Sequence, residues 1–129
     1  MPDYTHRNLS EVEDSAPKFG FGENQEARFA SEDMQTEQTG LSYHRVKPGK
    51  RQPFGHTHDE AEEVYVVLAG SGRVNLDGEV VELVELDAVR VPPGVVRAFE
   101  ADDEGLRILA FGPRRTDDRG DMFQGWWGG

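Results

Sequence analysis

His56 and His58 stand two residues apart, and Glu63 follows five residues after the second histidine. In an extended strand, residues i and i+2 share a face, so both imidazoles point at one spot. Asp59 to Glu62 read as a polar turn, and Val64 to Leu68 as the β-branched, aromatic run of a buried strand. A hairpin of that kind returns the start of its second strand beside the end of its first, which brings Glu63 next to the histidines. Two neutral imidazoles and one carboxylate form the ligand set of a divalent transition metal with open coordination positions. Iron, manganese, nickel, cobalt and zinc all suit it. Calcium does not, because the run Asp59–Glu63 lacks the glycine and the oxygen-ligand spacing of a calcium loop.

The elements that must position these residues are short strands. From Leu41 onward, turn signals recur at close spacing, which predicts an all-β sandwich or barrel. Leu41–Val46 reads as the first strand, closed by Lys47-Pro48-Gly49-Lys50. The histidine strand and Val64–Leu68 follow, then Ala69–Gly72 as a turn of residues that tolerate positive φ. Arg73–Leu76 and Glu79–Leu83 flank Asp77-Gly78, the favoured pair for a two-residue hairpin turn. Glu85-Leu86-Asp87 turns the chain into Ala88–Val91, and Pro92-Pro93-Gly94 turns it again. Val95–Phe99 and Leu106–Phe111 complete the set, with Ala101–Gly105 as an acidic turn between them and Asp102-Asp103-Glu104 in solvent.

Residues 1–39 form a polar, acidic arm whose apolar pieces, Phe19-Gly20-Phe21 and Ala27–Ala30, are too small for a core of their own. The arm lies along the main body or a partner subunit, with a capped helical turn at Ser31–Met34 or a short strand near Ala27–Phe29. Residues 40–112 form the barrel. Residues 113–129 are a charged tail outside the sheet, ending in Met122-Phe123 and Trp126-Trp127. Large apolar side chains rarely stay in water, so these cap one barrel end or sit at an interface.

The chain of 129 residues suits one domain. Its net charge of −11 repels the phosphates of nucleic acid and an anionic membrane surface. The absence of cysteine excludes disulfides, thiolate metal sites and cysteine nucleophiles. No apolar run spans a bilayer and the first residues lack a signal-peptide core, so a cytoplasmic protein is expected.

Gly49, His56, His58, Glu63 and Gly70 resemble the first motif of the cupin superfamily, with one extra residue between Gly49 and His56. Leu86-Asp87 and Pro92-Pro93-Gly94-Val95-Val96-Arg97 resemble the second. The resemblance covers residues 40–112 and implies a double-stranded β-helix, a jelly-roll barrel of two antiparallel sheets. It also implies a homodimer built through terminal strands or sheet packing. In metal-binding cupins a histidine of the second motif is the fourth ligand. Here Arg97 replaces it, and a guanidinium cannot coordinate a cation.

Three readings of the site follow. In the first, His56, His58 and Glu63 hold the metal with water in the open positions, while Arg97 binds an anionic ligand group or the far oxygen of Glu63. An enzyme of this kind would be a dioxygenase, isomerase or decarboxylase acting on a small carbonyl or carboxylate compound. In the second, Arg97 pairs with Glu63, no metal binds, and the barrel senses or sequesters a small anion. In the third, the histidines are ordinary polar barrel residues. Tyr65 shares a face with Glu63 and offers a hydroxyl to the pocket. Gln52 lies near the mouth, Arg90 offers a second anion contact or a surface ion pair, and Phe99 shares the face of Arg97 as an apolar wall. His44 lies on the opposite face of its strand from Tyr43 and Arg45, and one of those faces lines the barrel.

Overall fold

A computed structural model of the protein describes residues 2–114, 120–124 and 126–127. Its strands are β1 (Gln25–Phe29), β2 (Thr39–Val46), β3 (Phe54–His56), β4 (Glu63–Leu76), β5 (Glu79–Leu83), β6 (Ala88–Val91), β7 (Arg97–Pro113) and β8 (Met122–Gln124). One helical turn, α1 (Ser31–Met34), joins β1 to β2. All pairings are antiparallel, and the sheet curls into a jelly-roll barrel. No helix among the described residues is long and apolar enough to cross a membrane.

The frame consists of two long strands, β4 and β7, which pair along most of their length. On its other side β7 takes β2 at its second half and β3 at Arg97. On its other side β4 takes β6 near Glu63 and β5 near Leu76. Alternate residues of these strands turn inward and meet in one core that includes Val46, Val67, Val74, Leu106 and Ile108, all buried. Each such side chain stabilises the fold by about 1.5–3 kcal/mol when removed from water.

Two expected turns are absent. Ala69–Gly72 lies within β4 and Ala101–Gly105 within β7, where paired irregularities bend both strands together. Gly70 faces Leu106 and Gly72 faces Ala101 across this bend. The glycines are there for close approach: a Cβ on Gly70, whose φ is +80°, would stand 2.0 Å from the Gly105 carbonyl oxygen. Asp102 is also engaged, pairing with Arg73 and accepting from Ser71 Oγ at 2.9 Å, whereas Asp103 and Glu104 are exposed as expected. Gly70→Ala is expected to cost about 3 kcal/mol or more, since it adds overpacking to backbone strain. Gly78→Ala, with positive φ but open space around it, should cost only about 1–2 kcal/mol. Equal urea midpoints for the two variants would contradict this account of the bend.

The Asp77-Gly78 hairpin forms as read, with φ of 51° and 95°, and so does the turn at Glu85–Asp87. The arm lies on the barrel: β1 pairs with β2, and both its strand and its helical turn exist. Ser31 is not the cap. Ala30 occupies that position, and Ser31 Oγ accepts from the Leu41 amide at 3.0 Å. Of the charged tail, residues 115–119 lie outside the described residues. The tail's end does enter the sheet, because β8 pairs with β3. Trp127 is half-buried, donates to the Gln52 carbonyl at 2.9 Å and stacks under Arg51, while Met122 borders the barrel cavity with most of its surface still exposed, and Phe123 is exposed.

Candidate metal centre

The expected hairpin does not form: β3 pairs with β7 and β8 and not with β4, and His58 lies in the loop beyond the strand. The end of β3, that loop and the start of β4 still bring His56, His58 and Glu63 together, with one donor atom from each within 4.8 Å of the others. The two imidazoles stand nearly perpendicular, with ring centroids 5.5 Å apart. Thr57, between them, is fixed by the tail: its amide donates to the Asp121 carbonyl at 3.0 Å, and its Oγ1 accepts from the Asp121 amide at 3.0 Å. This clamp restrains the loop that carries both histidines. It follows from a pairing between distant segments, and local sequence patterning gives no sign of it.

One oxygen of Glu63 gathers three donors. Oε1 accepts from Tyr65 Oη at 2.5 Å, from His58 Nε2 at 3.1 Å and from Arg97 Nη1 at 3.1 Å. Burial pushes the Glu63 carboxyl up, but hydrogen bonds from His58 and Tyr65 outweigh it and hold the group at about 2. Burial, helped by the nearby Arg97 charge, lowers His56 to about 4. At neutral pH the site therefore presents a carboxylate and a neutral imidazole, the protonation states a metal requires of its ligands. Tyr65, raised well above its ordinary range by burial and then by the Glu63 charge, stays a phenol and acts as a donor. The donor set fits a divalent transition metal.

Arg97 pairs with His56 in the strand register and is fully buried. Its other nitrogen, Nη2, donates to the Pro92 carbonyl at 3.1 Å, and Nε is buried without a partner. The guanidinium thus backs the centre from within the wall. It does not border the barrel cavity.

That cavity, about 670 Å³, is bordered by His56, His58, Glu63, Tyr65, Gln52 and Phe99, among others. Its size is that of an ordinary small-molecule site. Gln52 is buried, and its amide is already used: Nε2 donates to Gln25 Oε1 at 2.8 Å and Oε1 accepts from the Phe99 amide at 3.0 Å. Arg90 stands outside, exposed and ion-paired with Glu62 at 3.2 Å. Two further residues, Ser42 and His44, border the cavity from β2. Strand alternation puts them on one face, but which face looks inward depends on how β2 packs.

The sequence matches the cupin domain family over residues 42–112. No curated protein matches it. Among solved structures it is similar to a cupin protein from Bacteroides fragilis, at 21% identity over 91% of this chain and 89% of that one, with a TM-score of 0.71. It is also similar to a sugar phosphate isomerase of the cupin superfamily from Silicibacter pomeroyi, at 19% identity over 89% and 79%, with a TM-score of 0.73. A third similar structure is a salicylate 1,2-dioxygenase from Pseudoaminobacter salicylatoxidans with gentisate, at 18% identity over 77% and 29%, with a TM-score of 0.67. The chain spans less than a third of that dioxygenase, and 64% of a further match from Acidithiobacillus ferrooxidans. These likenesses concern the fold. With more than half its length matching the family and the barrel built as that family builds it, the chain belongs to the cupins.

Proposed function

We propose that this cupin binds a divalent transition metal through His56, His58 and Glu63 and holds a small anionic or carbonyl compound in the barrel beside it. The observation that carries this reading is the convergence of the three donors within 4.8 Å at the wall of a 670 Å³ cavity. The metal, iron, manganese, nickel, cobalt or zinc, would supply Lewis acidity or oxygen activation. The chain's own residues do the rest. Tyr65 and Arg97 donate to Glu63 and keep its carboxylate oriented. The Thr57–Asp121 clamp holds the histidine loop, and the buried Tyr65, Phe99, Ile108 and Ala110 give the ligand an apolar wall. Dioxygenases and sugar phosphate isomerases among the structural neighbours agree with a small-molecule substrate. A cytoplasmic homodimer belongs to the same reading, supported by the acidic composition and by the family resemblance.

The test is metal content of untagged protein purified without chelators, beside the His56→Ala/His58→Ala double variant. The expected result is near-stoichiometric metal in the wild type and loss of it in the variant. No metal in either, even after incubation with the five candidate ions, would leave the alternative in which Glu63 and Arg97 simply pair and the barrel binds a small molecule without metal. The closed His58–Glu63–Arg97 contact favours that alternative, whereas the burial of Arg97 opposes its use as a direct anion contact.

A further inference from the structure

Ser42 and His44 are the polar break in an apolar stretch of the cavity wall. Ser42 Oγ and His44 Nε2 lie 2.8 Å apart, and Phe29 packs edge-on against the imidazole with ring centroids 5.7 Å apart. In register, His44 faces Ile108 and Ser42 faces Ala110. Burial lowers His44 to about 4, so the ring is neutral and carries one N–H. His44 Nδ1 is buried without a partner. A buried N–H with no acceptor is rarer and costlier than an acceptor lone pair left empty. The proton therefore sits on Nε2, where Ser42 Oγ accepts it. The serine's own proton then has no protein acceptor among the described residues, and the side chain carrying it borders the cavity.

The strand register places that hydroxyl relative to the proposed metal centre. Ala110 of β7 pairs with Ser42 on one side and with Tyr65 on the other. The three residues form one row across the inner face, roughly 10 Å from the first backbone to the last. All three border the cavity, and the middle one is the smallest side chain of the row. The gap over Ala110 is thus a slot between the Ser42 hydroxyl and the Tyr65–Glu63 pair. A charged group placed beside Ser42 would lie against the buried apolar residues Ile108 and Ala110, with no basic side chain of β2 or β7 beside it to pair with. The one arginine bordering the cavity among the described residues, Arg114, lies four residues past Ala110 and holds the Thr36 carbonyl.

We infer that the ligand is a single-ring compound lying over Ala110, with one oxygen at the His56–His58–Glu63 centre and an uncharged carbonyl oxygen accepting from Ser42 Oγ–H. This rests on the metal reading above and narrows it: sugar phosphates, with a doubly charged end and few apolar faces, fit the slot poorly.

Calorimetric titration with 4-hydroxyacetophenone tests it, using wild type, Ser42→Ala and Ser42→Thr, each with and without manganese or zinc, and ribose 5-phosphate as the contrast. Loaded wild type should bind 4-hydroxyacetophenone and prefer it to ribose 5-phosphate. Ser42→Ala should weaken binding about tenfold, the scale of one buried hydrogen bond, and Ser42→Thr should restore it. Binding indifferent to Ser42→Ala, tighter binding of ribose 5-phosphate, or no binding of 4-hydroxyacetophenone to loaded protein would overturn the inference. Serine-dependent binding that ignores metal would sustain the Ser42 contact and refute the metal reading instead. A metal-dependent affinity that ignores Ser42 would do the reverse. Ser42→Ala also removes the acceptor of His44 Nε2–H and should lower the thermal midpoint, so the variant's metal titration, expected to match wild type, separates a folding loss from the lost ligand contact.

Discussion

Arg97→Met is expected to destabilise the apo protein by about 3–5 kcal/mol, the usual cost of removing one partner from a buried ion pair. Methionine fills most of the arginine's volume, so the loss reports on charge and hydrogen bonds more than on a cavity. The guanidinium has no solvent contact, and its donors reach Glu63 and the Pro92 carbonyl. Without it, the Glu63 carboxylate keeps Tyr65 at 2.5 Å and His58 at 3.1 Å as partners, and the Pro92 carbonyl loses the Arg97 donor. For a domain of this size the thermal midpoint should fall by roughly 10–20 °C. Metal affinity should move the other way. Arg97 places a fixed positive charge beside the three ligands, and removing it relieves repulsion of any incoming cation. A variant both less stable and tighter for metal, measured by urea denaturation and metal titration, is the expected result. A midpoint within about 2 °C of wild type would show that Arg97 is not the counter-charge of Glu63.

The same residue shows what the sequence could and could not reveal. The spacing of His56, His58 and Glu63 is local, spanning one strand end, one loop and one strand start, and it marks the right residues. The expected hairpin is not what joins them, because β3 pairs with β7 and β8 while β4 begins against β6 and β7, and His58 lies in the loop. The position of Arg97 beside them depends on β7 pairing with β3, a contact across 41 residues that only the motif resemblance suggested. Ala69–Gly72 and Ala101–Gly105 misled for a related reason. Their compositions are those of turns, yet each bends against the other, and the glycines serve a cross-strand approach that local patterning cannot see. The inward face of β2 was undecidable from alternation, since His44 and its neighbours Tyr43 and Arg45 offered both faces polar side chains. Packing against β7 settles it by turning Ser42 and His44 to the cavity. The tail's tryptophans announced burial by their size alone. Nothing in their own sequence pointed to β3 as the edge their segment completes, or to Thr57 as the residue it clamps.

Acid should weaken the metal-free protein in two steps. His44 and His56 are both held at about 4, from an ordinary 6.5, chiefly by burial. The charges around them act in opposing directions: Glu63 raises both, while Arg97, His58 and His44 lower His56 further. Between pH 6.5 and 4 the unfolded chain takes up protons at these histidines and the folded chain does not. Stability rises with pH wherever the unfolded state binds more protons, so it must fall as the pH drops through that window. Each histidine contributes up to about 3 kcal/mol, since one pKa unit is worth about 1.4 kcal/mol. Below pH 4 both states are protonated at these positions and the loss levels off. Glu63 supplies the second step, because its carboxylate is held at about 2 against an ordinary 4.5, and its contribution drains as pH falls from 4.5 through 2. Urea midpoints measured between pH 8 and 3 should therefore decline from about pH 6.5 downward, well before carboxylates alone would cause it. His44→Phe removes one of the two buried imidazoles and should roughly halve the upper slope while leaving the lower step in place. A profile flat from pH 7 to about 4.5 in the wild type would mean that these imidazoles are not held neutral by burial.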